Sequence, residues 1–130
     1  MMKKLLFVTA VIELGAGAAL MCFPSVMMAL LLGPGLDTAA ALTLGRVTGV
    51  ALFALGVACW LARHDAHSRA ARGLVAAMVV YNLGAVAFLG AAGVRSQTVG
   101  VALWPAVVLH AVMAVWCITT FLRKPAQIGE

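Results

Sequence analysis

The stretch LLFVTAVIELGAGAALMCF, residues 5–23, contains a single charged residue, Glu13. A segment of this length and composition is typical of a helix that crosses a lipid bilayer, which needs about 20 mainly apolar residues. The whole chain has the same character: 10% of its residues are charged, against about a quarter in soluble domains. Its mean hydropathy of +1.10 points the same way. The sequence therefore predicts an integral membrane protein.

Charged and turn-forming residues divide the chain into four apolar stretches. These stretches cover residues 5–23, 38–62, 73–93 and 99–122. Inside a bilayer, an open chain satisfies its own backbone hydrogen bonds only as helices. We therefore expect one all-α domain over residues 1–130, folded as a four-transmembrane-helix bundle. Asp37, Ser68 and Thr98 are the expected N-caps of the second, third and fourth spans.

The end of the first span contains a helix-breaking signal. Pro24 lacks a backbone donor and disfavours helix in the residue before it. The apolar segment at about 25–33 then predicts a short helix in the outer membrane interface. The alternative is one continuous, kinked first helix.

Lysine and arginine residues concentrate on one side of the predicted membrane. They precede span one, lie between spans two and three, and follow span four, whereas Arg95 alone lies on the other side. This distribution predicts a multi-pass membrane protein whose N- and C-termini are cytoplasmic. The net charge of +5 is assigned to topology and lipid contact, not to nucleic acid. Because Glu13 interrupts the first apolar run, that run is expected to be a retained span and not a secretory signal.

Each span carries one strongly polar side chain at a similar depth. At a rise of about 1.5 Å per residue, Glu13 and Arg46 lie about 15 and 12 Å from the outer ends of their spans. Asn82, which follows Tyr81, lies about 15 Å from its inner end, and His110 lies about 17 Å from its outer end. These five residues are the candidate ligand-binding site.

The energetics of Arg46 predict a buried ion pair. A guanidinium group stays protonated, and placing it near the bilayer centre costs about 2.5–3.5 kcal/mol. Glu13 is the acidic residue available inside a span, so we expect these two side chains to pair. A water-filled cavity reaching both charges is the alternative. The pair has two interpretations, a functional site or a purely structural contact.

Small residues predict close packing of the helices. Gly45 and Gly49 form a GxxxG step, with Gly56 further along the same face, and Gly15 and Ala19 form a similar step in span one. Such steps suit packing within one chain or dimerisation.

Two segments of the chain resemble each other. ELGAGAAL at residues 13–20 is similar to NLGAVAFL at residues 82–89. This similarity predicts two tandem helical hairpins of the same orientation, with a cavity between them and Glu13 facing Asn82.

The sequence shows no evident cofactor or metal site. The three cysteines have no paired spacing, and we expect them to be small buried hydrophobic residues. His64 and His67 lie in a basic loop without further ligands. We therefore predict no metal and no cofactor.

The segment ELGAGAAL, the proline that ends its span, the arginine in GRVTGVALFALGVACWLAR and the four-span length resemble the DoxX-like group of small bacterial membrane proteins. The resemblance implies a four-helix bundle in the bacterial cytoplasmic (inner) membrane. It also implies a respiratory or redox partner, since some members are associated with quinone-linked oxidoreductase complexes. It assigns no cofactor to any residue of this chain.

Three functions fit these patterns. The preferred one is binding of a hydrophobic or amphiphilic small molecule, quinone- or isoprenoid-like, at Glu13, Arg46, Tyr81, Asn82 and His110. The second is an accessory subunit of a larger membrane redox complex, or a homo-oligomer. The third is an integral-membrane isomerase, cyclase or hydrolase, or a proton-coupled transporter, that uses Glu13 or His110. The residues do not decide whether the protein is an enzyme, and membrane lipid is a partner in every case.

Overall fold

The computed structural model describes residues 1–35, 37–96 and 98–123 and shows a helical bundle. Its helices are α1 (Met2–Cys22), α2 (Pro24–Leu32), α3 (Ala39–Ala62), α4 (Arg69–Arg95) and α5 (Leu103–Leu122), with a 3₁₀ turn at Arg63–Asp65. Four of these helices, α1, α3, α4 and α5, are long and apolar enough to cross a membrane. The all-α four-transmembrane-helix bundle is therefore confirmed.

One residue with a non-helical backbone conformation separates α1 from α2. Phe23 has φ −130° and ψ 54°, outside the helical region, and Pro24 begins the next helix. Proline is well tolerated at a first helical position, where its missing N–H has no intrahelical acceptor. The chain therefore has a separate short helix at this point, and the continuous, kinked first helix is not formed.

The helix starts agree with the predicted caps in one case of three. The Oγ atom of Ser68 accepts a hydrogen bond of 3.1 Å from the backbone N–H of Ala71, as expected. Before α3 the cap is Thr38, whose side chain accepts from Ala41 at 3.2 Å, and not Asp37. Thr98 caps nothing, because α5 begins later than predicted, at Leu103.

The later start of α5 has a structural reason. The backbone N–H of Ala102 donates a 2.9 Å hydrogen bond to the carbonyl oxygen of Leu30, near the end of α2. Residues 99–102 thus form a connection that joins the first half of the chain to the second.

The helices pack as two pairs, α1 with α3 and α4 with α5, and contacts between the pairs are sparse. The two-hairpin arrangement is therefore confirmed. Backbone touches backbone between α1 and α3: a Cβ atom on Gly17 would lie 2.7 Å from the carbonyl oxygen of Gly49 and 2.6 Å from the nitrogen of Phe53. The predicted step at Gly15 is not used, since a Cβ atom there would meet nothing within 4 Å.

A buried apolar cluster closes one end of the bundle, where the 63–68 connection packs against the start of α1. The cluster comprises Leu5, Leu6, Ala10, Cys59, Ala66, Ala71, Val75, Met78, Met113 and Cys117. The three cysteines are free, and Cys59 and Cys117 are buried as expected, whereas Cys22 is exposed. The outer surface of the bundle is also apolar: Val80 and Phe88 are 73% and 80% exposed. Such a surface suits lipid.

Candidate functional site

A cavity of about 770 Å³ lies between the two helix pairs. Glu13, Thr48, Tyr81 and His110 are the polar residues in its lining, and apolar side chains form the remainder. Volumes of about 300–1,000 Å³ with a few convergent polar groups are typical of small-molecule sites. The cavity therefore has the size and composition of a binding pocket.

The cavity reaches the side of the bundle. Val80 and Phe88 on α4 and Leu109 on α5 line it and are also exposed. The short helix α2 contributes Met27 and Leu31 to the lining. A molecule dissolved in the bilayer could thus enter laterally, past apolar side chains.

Both helix pairs contribute polar side chains to the cavity wall. Glu13 on α1 is 3% exposed, and its carboxyl group lies beside the hydroxyl group of Tyr81 on α4. The rings of Tyr81 and His110 meet edge to face, with centroids 5.4 Å apart and an interplanar angle of 85°. Three of the five predicted site residues therefore lie together on the cavity wall.

Asn82 lies behind this wall and not in it. It is 1% exposed, and its Nδ2 atom donates a 2.7 Å hydrogen bond to the carbonyl oxygen of Met78. Its Oδ1 atom is 2.9 Å from Nδ1 of His110. The prediction that Asn82 faces Glu13 as a ligand contact is therefore corrected: its side chain positions His110.

Arg46 is the predicted site residue that lies elsewhere. Its side chain is exposed, and it does not line the cavity. Glu13 and Arg46 form no ion pair, so the expectation of a buried pair is corrected. Helical side chains tilt towards the N-terminus of their helix, and Arg46 lies about 10 Å from the start of α3. Its long side chain can extend along the lipid-facing surface towards that end, which removes the need for a buried partner.

The structure adds residues that the sequence did not single out. Thr48 lines the cavity, as do Met27 and Leu31 from α2. The hydroxyl groups of Thr9 and Thr120 are buried without a hydrogen-bond partner among the described residues. A threonine in an apolar helix gives no signal in the sequence, because it is common in such helices whichever way it faces.

The arrangement combines a large apolar volume with a small polar end. It can hold an elongated apolar molecule and orient one head group against Glu13, Tyr81 and His110. Comparisons with protein-family models, curated proteins and solved structures find no match to this chain. The resemblance to the DoxX-like group therefore stays a prediction.

Proposed function

We propose that this protein binds a hydrophobic or amphiphilic small molecule, of the size of a quinone or an isoprenoid, inside the membrane. The observation that carries the proposal is the cavity of about 770 Å³, apolar except for its few convergent polar residues. Its openness to the side of the bundle supports entry from lipid.

The membrane and its orientation are part of this proposal. The basic residues around Lys3, Arg63 and Arg123 lie at the end of the bundle that the apolar cluster closes. Leu5 and Ala66, which are close to Lys3 and Arg63 in the chain, both belong to that cluster. Because basic residues are retained on the cytoplasmic side during insertion, this end would face the cytoplasm of a bacterial cell and the cavity would lie nearer the outer leaflet.

The other predicted functions make additional demands. An accessory role requires a stable partner, and an enzyme or proton-coupled transporter requires turnover that depends on Glu13 or His110. Both of these residues line the cavity, so an enzyme or transporter would need the same binding site, and binding alone is the more economical conclusion.

Native mass spectrometry of the protein, purified in mild detergent from its membranes, tests the proposal. We expect one small molecule retained per chain. Gly84 provides the variant, because it lines the cavity and a Cβ atom there would meet nothing within 4 Å. In Gly84→Leu the added side chain occupies ligand space, and we expect the retained fraction to fall at least about tenfold.

Gly73→Leu is the matched control. Gly73 lies on the same helix, is exposed, has equally open space around its Cβ position, and does not line the cavity. Retention should match that of the unmodified protein. A chain that holds no small molecule after incubation with a membrane lipid extract, or equal retention in Gly84→Leu, would contradict the proposal.

A further inference from the structure

We infer that the cavity selects a molecule whose polar head donates a hydrogen bond, such as a hydroxyl or ammonium group on an apolar chain. A head that only accepts, such as an ether, a ketone or an oxidised quinone ring, is disfavoured. The inference rests on the proposed function, because it names the ligand class of the same cavity.

The argument starts from the orientation of the Asn82 amide. The nearest polar atom on one side is the carbonyl oxygen of Met78, 2.7 Å away, and a carbonyl oxygen only accepts. The amide NH₂ group must therefore face Met78, and the amide oxygen must face His110. The opposite orientation would place two acceptor oxygens against each other.

The orientation of Asn82 determines the tautomer of His110. The Oδ1 atom of Asn82 is an acceptor, so the Nδ1 atom of His110, 2.9 Å away, carries the hydrogen and donates it. In the neutral ring the other nitrogen, Nε2, is then an acceptor with a free lone pair. Among the described residues Nε2 has no hydrogen-bond partner, and it is not among the buried unpaired atoms. It is therefore accessible, and we assign its open side to the cavity, because His110 is one of the residues that line it.

Glu13 adds a second acceptor. Tyr81 lines the same cavity wall, and its single hydroxyl hydrogen could pair with at most one lone pair of the carboxyl group. A carboxyl group keeps further lone pairs in either charge state. Because a protonated carboxyl group also donates, the selectivity rests chiefly on His110, which in this tautomer offers the cavity an acceptor alone.

A ligand without a donor would leave Nε2 of His110 dehydrated and unpaired against an apolar or acceptor surface. Losing the partner of a buried polar group weakens binding by at least about fivefold. The same polar site therefore distinguishes two ligands of equal length and shape by one hydrogen atom.

Three farnesyl probes with a common tail test this inference: farnesol, farnesylamine and farnesyl methyl ether. Their dissociation constants are measured by native mass spectrometry on protein stripped of endogenous ligand by detergent exchange. We expect the alcohol, the amine or both to bind at least about fivefold more tightly than the ether. Which of the two binds more tightly identifies a neutral or a cationic head.

Asn82→Leu separates the tautomer argument from general polarity. Without the amide oxygen, the hydrogen of His110 can move to Nε2, and the preference over the ether should fall towards onefold. His110→Phe, which keeps a ring and removes both nitrogens, should abolish the same preference. Gly73→Leu should keep the preference of the unmodified protein, and circular dichroism checks the helix content of each variant.

The outcomes distinguish the two proposals. Equal affinities of the unmodified protein for all three probes, or a preference that survives in His110→Phe, would overturn the inference and leave binding in the cavity intact. No binding of any probe, together with no retained endogenous molecule, would overturn both.

Discussion

The similar segments ELGAGAAL in α1 and NLGAVAFL in α4 have different roles in the bundle. Their first residues align, yet Glu13 lies in the cavity wall and Asn82 lies behind it, bonded to His110. One segment presents a polar group to the cavity, and the other orients a polar group on a neighbouring helix. Similar sequence therefore does not give equivalent chemistry in the two halves.

The two segments also differ at their fifth residue. Gly17 in α1 aligns with Val86 in α4. Glycine lets the backbone of α1 touch that of α3 at Gly49, whereas Val86 carries a branched side chain at the aligned position of α4. The α1–α3 pair therefore depends on a single small residue at Gly17, because a larger side chain there would meet the backbone of α3.

The largest expected effect comes from removing the glycine contact. In Gly17→Ala the new Cβ atom meets backbone atoms of α3, which cannot rotate away as a side chain does. We expect the free energy of unfolding to fall by about 1–3 kcal/mol. Unfolding in mixed micelles of mild detergent and sodium dodecyl sulfate, followed by circular dichroism, measures this change.

Alanine at the aligned pair Gly15 and Gly84 is the control for Gly17→Ala. Both positions have open space around the Cβ atom, so the two substitutions should leave stability unchanged or raise it by up to about 1 kcal/mol. A loss in these variants as large as that of Gly17→Ala would show that the packing of Gly17 is not special.

Leucine at the two aligned polar positions should give opposite results. Asn82→Leu removes the hydrogen bond to His110, and we expect a loss of about 0.6–1.7 kcal/mol in the free energy of unfolding. Glu13→Leu removes a buried carboxyl group that has no cationic partner among the residues the structure describes, so stability should stay unchanged or increase. The same micelle titration measures both variants, and a marked loss in Glu13→Leu would indicate a structural role for its contact with Tyr81.

The smallest expected effect is at the exposed arginine. Arg46→Gln should change the free energy of unfolding by less than about 0.5 kcal/mol, because its side chain packs in no core. Ligand retention in native mass spectrometry should also be unchanged. If retention fell as far as in Gly84→Leu, Arg46 would have to reach the cavity.

The sequence predicts the fold well because hydropathy, proline position and small residues act locally. The four spans and the separate helix beginning at Pro24 follow from such local patterns, and the two-hairpin arrangement follows from the similarity of residues 13–20 and 82–89. The start of α5 does not, because it depends on a hydrogen bond between Ala102 and Leu30, which are distant in the chain.

The candidate site is predicted less completely. Depth along a helix places Glu13, Tyr81 and His110 in one layer, and the structure brings them together. Depth does not give the direction in which a side chain points. Because α3 is apolar on all its faces, no polar stripe in the sequence indicates that Arg46 faces outward. Because the long side chain of Arg46 can extend along the lipid-facing surface, its charge needs no buried partner, and the expected ion pair with Glu13 does not form.

The backbone contact at Gly17 has a mechanical consequence for the cavity. Helices α1 and α3 should move as one rigid body, since neither can shift without separating atoms already in contact. A bulky guest would then be accommodated by displacement of α4 and α5, which carry Tyr81 and His110 away from Glu13. The width of the guest would thereby be transmitted to the distance between the side chains of Glu13 and Tyr81, one on each helix pair.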